Sequence, residues 1–272
     1  MSDPIAPRVA VIIPARFAST RFPGKPLVKL TGSNGAASTL IERSWRAACA
    51  VPGIDSVTVA TDDVRIADEV HRFGGTVIMT PESCANGTER CAAAVAQMTS
   101  QPDIVINLQG DAPLTPAYVV TRLIDRLRDD ADAVMATPAV RCTPSLYRHL
   151  TEDQKVGRVG GTTVVTDARS RALYFSKRVL PYLPDDWPTD RECPAFLHLG
   201  VYAYRPAALA AYAAWPACLL EQVEGLEQLR FLHYGTAISV VDCAAPDWDV
   251  VELNNPSDVP IVEAMLRQRG LD

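Results

Sequence analysis

Short runs rich in β-branched residues alternate with helical patterns through the first half of the chain. The runs predict strands at Val9–Ala15, Val57–Thr61, Thr76–Thr80, Ile104–Leu108 and Ala133–Thr137. The segments between them carry apolar residues at helical spacing, which predicts helices at Thr39–Ala50, Val64–Phe73, Thr88–Met98 and Pro116–Arg128. This alternation is typical of a layered α/β domain with a mainly parallel sheet.

The second half of the chain has a different character. Its β-branched and aromatic runs predict strands at Thr162–Thr166, Ala172–Ser176 and Leu199–Tyr204, with the proline-rich stretch Pro181–Pro194 between the last two. An amphipathic helix at Leu219–Leu232, a strand at Ile238–Asp242 and a closing helix at Pro256–Arg267 are predicted to follow. We interpret this part as an insertion on the sheet rather than an independent domain.

Charge and composition exclude several classes of protein. The 26 basic and 32 acidic residues give a net charge of −6, which argues against a surface that binds nucleic acid or an anionic membrane. The longest apolar run, Ala207 to Leu220, contains Pro216 and is shorter than the ~20 residues of a membrane helix, so no membrane insertion is expected. Seven scattered cysteines without a C-x-x-C pair predict reduced thiols in a cytoplasmic protein.

The loop after the first predicted strand concentrates positive charge. It runs from Pro14 to Leu27 and contains Arg16, Arg21 and Lys25 with no acidic residue. Ligands of open parallel sheets bind beyond the carboxyl ends of the strands, and such cations can hold a polyphosphate. The alternative is a solvated loop whose cations pair with nearby carboxylates. The loop has no G-K-[ST] ending of a Walker A motif, and no G-x-G-x-x-G indicates a dinucleotide site.

The sequence of this loop, P-A-R-F-A-S-T-R-F-P-G-K-P-L, resembles the opening of the CMP-Kdo synthetases. These are the 3-deoxy-manno-octulosonate (Kdo) cytidylyltransferases, a family of sugar nucleotidyltransferases. Further matching blocks follow in the same order: Asn86-Gly87-Thr88-Glu89-Arg90, Asn107-Leu108-Gln109-Gly110-Asp111, Ala172-Leu173-Tyr174-Phe175-Ser176, His198-Leu199-Gly200-Val201-Tyr202 and Leu226-Glu227-Gln228-Leu229-Arg230. The resemblance extends from about Val9 to Leu266.

The resemblance implies a three-layer, Rossmann-like nucleotidyltransferase fold with a mixed, mainly parallel sheet and an inserted β-rich subdomain for substrate binding and dimerisation. In this interpretation residues 1–272 form a single domain, with a nucleotide-binding half at 8–140, the insertion at 141–245 and a return to the core at 246–272. The implied activity is transfer of CMP from CTP to an acidic sugar with the help of Mg²⁺, by a homodimer.

For the nucleotide, the resemblance implies a set of residues from the first loop and two later blocks: Ala15, Arg16, Ser19, Arg21, Lys25, Gly87, Thr88, Arg90 and Asp111. Arg16, Lys25 and Asp111 are expected to be catalytic, because cations and a metal-binding carboxylate stabilise the charge that develops when pyrophosphate leaves. The alternative for the second block is a helix N-terminus capped by Thr88. The alternative for Asp111 is a carboxylate that caps a turn.

The metal site departs from the family pattern. Asp111 is the expected first ligand, and the family places a second aspartate just before the last helix, where this chain has Asn254. An amide oxygen can bind magnesium but brings no charge, and Glu252, two residues earlier, could replace that charge. The substitution also motivates a further alternative, a homologue that binds CTP without catalysis.

The implied acceptor residues are Gln109, Lys177, His198, Tyr202, Glu227 and Gln228. Lys177 occupies a position where the family usually has arginine, and Ala112 one where it usually has glutamate. Lysine lacks the fork with which arginine binds a carboxylate. The resemblance implies the anomeric hydroxyl of Kdo as the acceptor, and these two departures motivate the alternative, another 2-keto-3-deoxy sugar acid or a phosphonate.

Overall fold

The computed structural model describes residues 7–18, 22–184, 186–188, 191–245 and 253–272. Its strands are β1 (Val9–Ala15), β2 (Lys29–Thr31), β3 (Ala37–Thr39), β4 (Ser56–Thr61), β5 (Thr76–Met79), β6 (Ile104–Leu108), β7 (Met135–Arg141), β8 (Thr162–Thr166), β9 (Ala172–Ser176), β10 (Phe196–His198), β11 (Val201–Tyr204) and β12 (Ser239–Cys243). Its helices are α1 (Leu40–Cys49), α2 (Val64–Arg72), α3 (Gly87–Val95), α4 (Ala117–Asp129), α5 (Pro144–Lys155), α6 (Pro206–Ala214), α7 (Leu219–Glu224), α8 (Gln228–His233) and α9 (Val259–Gln268).

The chain forms two compact units. The first unit is drawn from Met1–Thr121 and Pro246–Asp272, and the second unit is Arg122–Ala245. The interpretation of the chain as a single domain, with segment boundaries after residues 140 and 245, stays a prediction. In the described part of the chain, no helix is both long and apolar enough to cross a membrane.

The first unit is built on parallel strands in the order β5-β4-β1-β6. Helices α1, α2 and α3 pack on these strands. Every residue of β6 is buried, as expected for a strand inside a parallel sheet. Because parallel strands end at the same edge of a sheet, the segments that follow β1, β4 and β6 leave from one edge.

The second unit is mostly antiparallel. Strand β7 pairs antiparallel with β10 and β11 and parallel with β12, while β8 pairs antiparallel with β9 and β10. The helix-flanked parallel strands of the first unit and the mixed strand pairing within the second confirm the expected α/β class with parallel and antiparallel strands.

The helix predicted at Leu219–Leu232 is wrong as a single element. Helix α7 ends at Gly225, whose φ of 61° lies in the left-handed region that ends helices, and α8 starts only at Gln228. Helices α5 and α6 and strand β10 had not been predicted. Helix α6 is apolar on most of its surface, so its sequence has no periodic polar face to reveal it.

Candidate active site

The loop after β1 is closed at its base. The backbone N–H of Gly24 donates to the Phe17 carbonyl at 3.0 Å, and Gly24 adopts a left-handed φ of 69°. A Cβ at Gly24 would lie 3.0 Å from the Phe17 ring, so both the left-handed backbone conformation and this close approach favour glycine here. A 3₁₀ turn, Lys25–Leu27, follows at once and carries Lys25.

The remaining predicted phosphate ligands differ in what the structure shows of them. Ala15 is the buried last residue of β1. Arg16 is exposed, and its guanidinium pairs with no side chain in the described ranges. Ser19 and Arg21 lie outside the described residues.

Lys25 and Asp111 form an ion pair. The Lys25 Nζ donates to Asp111 Oδ2 at 2.5 Å, and 16% and 22% of the two side chains are exposed. The two residues are 86 positions apart in the chain. The structure thus brings together the cation and the carboxylate that were expected to be catalytic, and the Asp111 carboxylate caps no turn among the described residues.

The loop that carries Asp111 is held from two sides. The carbonyl of Gly110 accepts a hydrogen bond from Ser44 Oγ at 2.9 Å, and the carbonyl of Asp111 accepts one from the Leu253 N–H at 2.9 Å. A Cβ at Gly110 would lie 3.2 Å from the Pro14 carbonyl oxygen, so this loop packs closely on the end of β1. The carboxylate therefore projects from a fixed backbone.

The bond to Leu253 brings the next residue, Asn254, near Asp111 in the backbone trace. Together they offer one carboxylate and one amide oxygen, which suits Mg²⁺, because this ion is usually held by one or two carboxylates and completed by phosphate oxygens and water. Glu252 lies outside the described residues. Among the residues that the structure describes, no cluster of three or more His, Cys, Asp or Glu side chains could hold a metal ion.

The second block, Asn86–Arg90, begins helix α3. Its cap is Asn86, whose Oδ1 accepts from the Glu89 N–H at 2.8 Å; the expected cap, Thr88, is instead buried. Gly87 is the first residue of the helix. The alternative of a capped helix N-terminus is therefore correct, but the capping residue is Asn86 and not Thr88.

Arg90 is almost fully buried. Its guanidinium donates to Asp62 Oδ2 at 2.9 Å and to Thr80 Oγ1 at 2.6 Å. Sequence analysis missed Asp62, although an acidic residue directly after a buried strand was a usable signal. Direct contact of Arg90 with a nucleotide base stays a prediction.

In the second unit, three of the predicted acceptor residues lie together. Tyr202 donates its hydroxyl proton to Gln228 Oε1 at 3.1 Å, and the rings of Tyr202 and His198 are 5.5 Å apart. The Gln228 Nε2 is buried and has no hydrogen-bond partner in the described part of the chain. Glu227 directly precedes α8. An unpaired buried donor is costly, which points to an acceptor oxygen supplied by a ligand.

Lys177 follows the end of β9 and is positioned by Glu224. Its backbone N–H donates to Glu224 Oε2 at 3.0 Å, and Ser176 Oγ donates to Glu224 Oε1 at 2.8 Å. The Lys177 Nζ lies 2.9 Å from the place that a Cβ at Gly225 would occupy. The remaining predicted acceptor residue, Gln109, belongs to the first unit, where its amide donates to Asn107 Oδ1 at 3.4 Å.

His198 is neutral, and its proton can be assigned. Thr137 Oγ1 donates to the Val201 carbonyl at 2.8 Å, so it must accept at 2.8 Å from His198 Nε2, which leaves Nδ1 as an acceptor. Burial lowers the pKa of His198 to about 3. His198 can therefore orient a ligand by hydrogen bonding, but it carries no charge near pH 7. Thr137 was not recognised from sequence.

We expect His198 to make the protein sensitive to acid. Its pKa lies far below that of an unfolded histidine, so unfolding takes up a proton and stability is lost as the pH falls below about 6.5. Relative to His198→Asn, the wild type should lose about 1.4 kcal/mol of unfolding free energy per pH unit below pH 6. Urea unfolding at pH 7, 5.5 and 4.5 measures this, with exposed His71→Asn as the control. Equal pH slopes in wild type and His198→Asn would contradict the assignment.

Comparison with known proteins gives matches over nearly the full length of the chain. The family model described as cytidylyltransferase matches residues 10–238. A 3-deoxy-manno-octulosonate cytidylyltransferase of Maricaulis maris is 42% identical over 96% of this chain and 98% of that protein. A protein of the same name from Chlamydia abortus is 38% identical over 94% of this chain and 92% of its own length. A mitochondrial one from Arabidopsis thaliana is 36% identical over 97% and 85%.

Solved structures agree with the sequence matches. A CMP:2-keto-3-deoxy-manno-octonic acid synthetase complexed with CTP superposes with a TM-score of 0.81 and 32% identity, covering 96% of this chain and 99% of the other. A 4-diphosphocytidyl-2C-methyl-D-erythritol synthase of Anaerococcus prevotii superposes with a TM-score of 0.57 at 14% identity over 96% and 99%, which shows a shared fold only.

Proposed function

Because the chain belongs to the cytidylyltransferase family and, within it, to the 3-deoxy-manno-octulosonate cytidylyltransferases, we propose that it transfers CMP from CTP to the anomeric hydroxyl of Kdo and releases pyrophosphate. The observation that carries this proposal is the pairing of Lys25 with Asp111 beside the loop after β1. It joins a cation and a carboxylate at the sheet edge where phosphate ligands of such folds bind.

In the proposed reaction, the hydroxyl oxygen of the acceptor forms a bond to the α-phosphorus of CTP. The bond from this phosphorus to the bridging oxygen breaks, and pyrophosphate leaves with the electron pair while the hydroxyl proton passes to solvent. Negative charge accumulates on the leaving group, and Arg16 and Lys25 stabilise it. The protein needs no nucleophile of its own, because positioning and charge neutralisation suffice.

Asp111 and Asn254 are proposed to hold a magnesium ion. When bound, this ion would act as a Lewis acid on the phosphate oxygens. Lys25 is paired with Asp111 in the described structure, so we expect it to exchange this partner for phosphate oxygens when the nucleotide binds. Sequence position alone supports Glu252 as a further ligand.

The acceptor is proposed to contact the second unit. The unpaired Gln228 Nε2 and the Nδ1 of His198 supply a donor and an acceptor, which suits the hydroxyl groups of a sugar acid. Lys177 supplies a positive charge for a carboxylate. Because lysine replaces the family's usual arginine here, another 2-keto-3-deoxy sugar acid or a phosphonate remains the second candidate. A homodimer and a cytoplasmic location stay predictions.

Pyrophosphate release tests the proposal. We expect release with CTP, Kdo and Mg²⁺, at a rate at least about tenfold above that with ATP, GTP or UTP, since a difference of about 1.4 kcal/mol already produces that ratio. EDTA should reduce release to background, and added Mg²⁺ should restore it. Faster release with another sugar acid than with Kdo would replace Kdo as the proposed acceptor. Binding of CTP without release for any acceptor would support the non-catalytic alternative that Asn254 motivates.

A further inference from the structure

Phe17 joins the two described arms of the loop after β1. Its carbonyl accepts the hydrogen bond from the Gly24 N–H at 3.0 Å, and its ring packs so closely on Gly24 that a Cβ there would lie 3.0 Å from the ring. Arg16 directly precedes Phe17, and Lys25 directly follows Gly24. A contact that fixes the Phe17 ring therefore acts on the two backbone segments that carry these cations.

Arg65 covers that ring. The central carbon of its guanidinium lies 3.3 Å from the Phe17 ring centroid. A guanidinium over an aromatic face is attracted by the negative face of the ring, and the contact becomes stronger as water is excluded. This stacking links the loop to the first turn of α2, a part of the chain that carries none of the nucleotide residues expected from the sequence.

Asp63 fixes Arg65 in place. Its carboxylate accepts from Arg65 Nε at 2.9 Å and from the terminal nitrogen at 2.6 Å, and it caps α2 by accepting from the Arg65 backbone N–H at 2.9 Å. The hydrogen bonds from Arg65 hold the pKa of Asp63 below its usual range, so the fork persists at neutral pH. With its edge occupied by Asp63 and its face on Phe17, Arg65 is arranged to support the loop rather than to bind phosphate.

We propose that Arg65 is a positioning residue for the nucleotide loop, and that it acts through Phe17 to hold Arg16 and Lys25 at the spacing that CTP phosphates require. This inference rests on the proposed function of the loop as the CTP site. It assigns no contact between Arg65 and the nucleotide.

The test is the steady-state kinetics of Arg65→Leu. We expect kcat/KM for CTP to fall about three- to fivefold, the upper part of the range expected from loss of one exposed cation–π contact. The KM for the acceptor should change less than about twofold, because only nucleotide binding depends on the loop. Arg65→Lys should fall between, since lysine keeps the charge but lacks the planar face. An unchanged kcat/KM for CTP in Arg65→Leu would overturn the inference.

Arg171→Leu is the matched control. Arg171 makes the same kind of fork with an aspartate, from Nε to Asp167 Oδ2 at 2.8 Å, but it stacks on no aromatic ring in the described part of the chain. We expect its removal to leave both kinetic parameters within about twofold of wild type, as for most surface substitutions. An equal loss in both variants would mean that the fork matters, not the stacking, and would overturn the inference.

A double-mutant cycle tests whether Arg65 acts through Phe17. If it does, Phe17→Leu/Arg65→Leu should be no worse than Phe17→Leu alone, whereas independent effects would multiply and contradict the inference. The proposed function can fail separately: a wild type that releases no pyrophosphate would remove it. Calorimetric titration with CTP would then still show whether Arg65→Leu weakens nucleotide binding about three- to fivefold.

Discussion

Asp111→Ala is expected to lower the rate of pyrophosphate release by at least about 10³-fold, because an anchored metal contributes several kcal/mol of transition-state stabilisation. The same variant should fold normally. The backbone bonds that hold this loop, from Ser44 to Gly110 and from Leu253 to Asp111, use carbonyl groups and survive the substitution. Loss of the mostly buried pair with Lys25 should change the free energy of unfolding by about 1 to 3 kcal/mol, which is less than the total stability of a typical domain.

Release should be measured with CTP, Kdo and Mg²⁺ at saturating concentrations, beside thermal unfolding of both proteins. Asp125→Ala is the matched control, because Asp125 is an aspartate with 51% of its side chain exposed on α4 and no part in the site. We expect that control to retain normal turnover. Near-normal turnover of Asp111→Ala would remove the metal assignment, and loss of its cooperative unfolding would show that the defect is one of folding.

Lys25→Ala is expected to lower kcat by about 10²- to 10³-fold, the usual effect of removing one group that stabilises transition-state charge. Because Lys25 is proposed to act on charge that develops during bond breaking, kcat should fall more than the affinity for CTP. Lys25→Arg should recover only part of the activity, since the guanidinium is larger and its hydrogen bonds have fixed directions.

Lys29→Ala is the matched control for this variant. The chain has only four lysines, and Lys29 lies four residues further along as an exposed residue of β2. It should behave as the wild type. If both lysine variants lost activity equally, the loss would reflect overall charge rather than the position of Lys25. A change confined to KM would show that Lys25 binds CTP without acting on the transition state.

The parallel half of the fold could be predicted because its signals are local. β1 and β6 were predicted with the observed bounds, since each is a short run of buried β-branched and aliphatic residues. The break between α7 and α8 was missed because apolar periodicity continues across Gly225, and the left-handed backbone of one glycine outweighs it. Local patterns thus predicted the strands better than the ends of short helices.

For the site, the sequence could predict at which edge of the sheet the functional residues lie, but not which other residues their side chains contact. Lys25 and Asp111 were each expected at this edge, whereas their ion pair depends on how two loops 86 residues apart fold back. The roles of Thr137 and Asp62 depend in the same way on partners distant in the chain, His198 and Arg90. A side chain that acts by holding another leaves no signature of its own.

The ion pair of Lys25 and Asp111 also affects which ligands can bind at this site. Because the two charges of the pair largely cancel, a free phosphate or a lone metal ion would have to separate Lys25 from Asp111 before gaining its own contact. A ligand that brings negative phosphates and a cation together can satisfy both side chains at once. Under the proposed function, the pair would therefore favour binding of the metal–nucleotide complex over binding of its separate components.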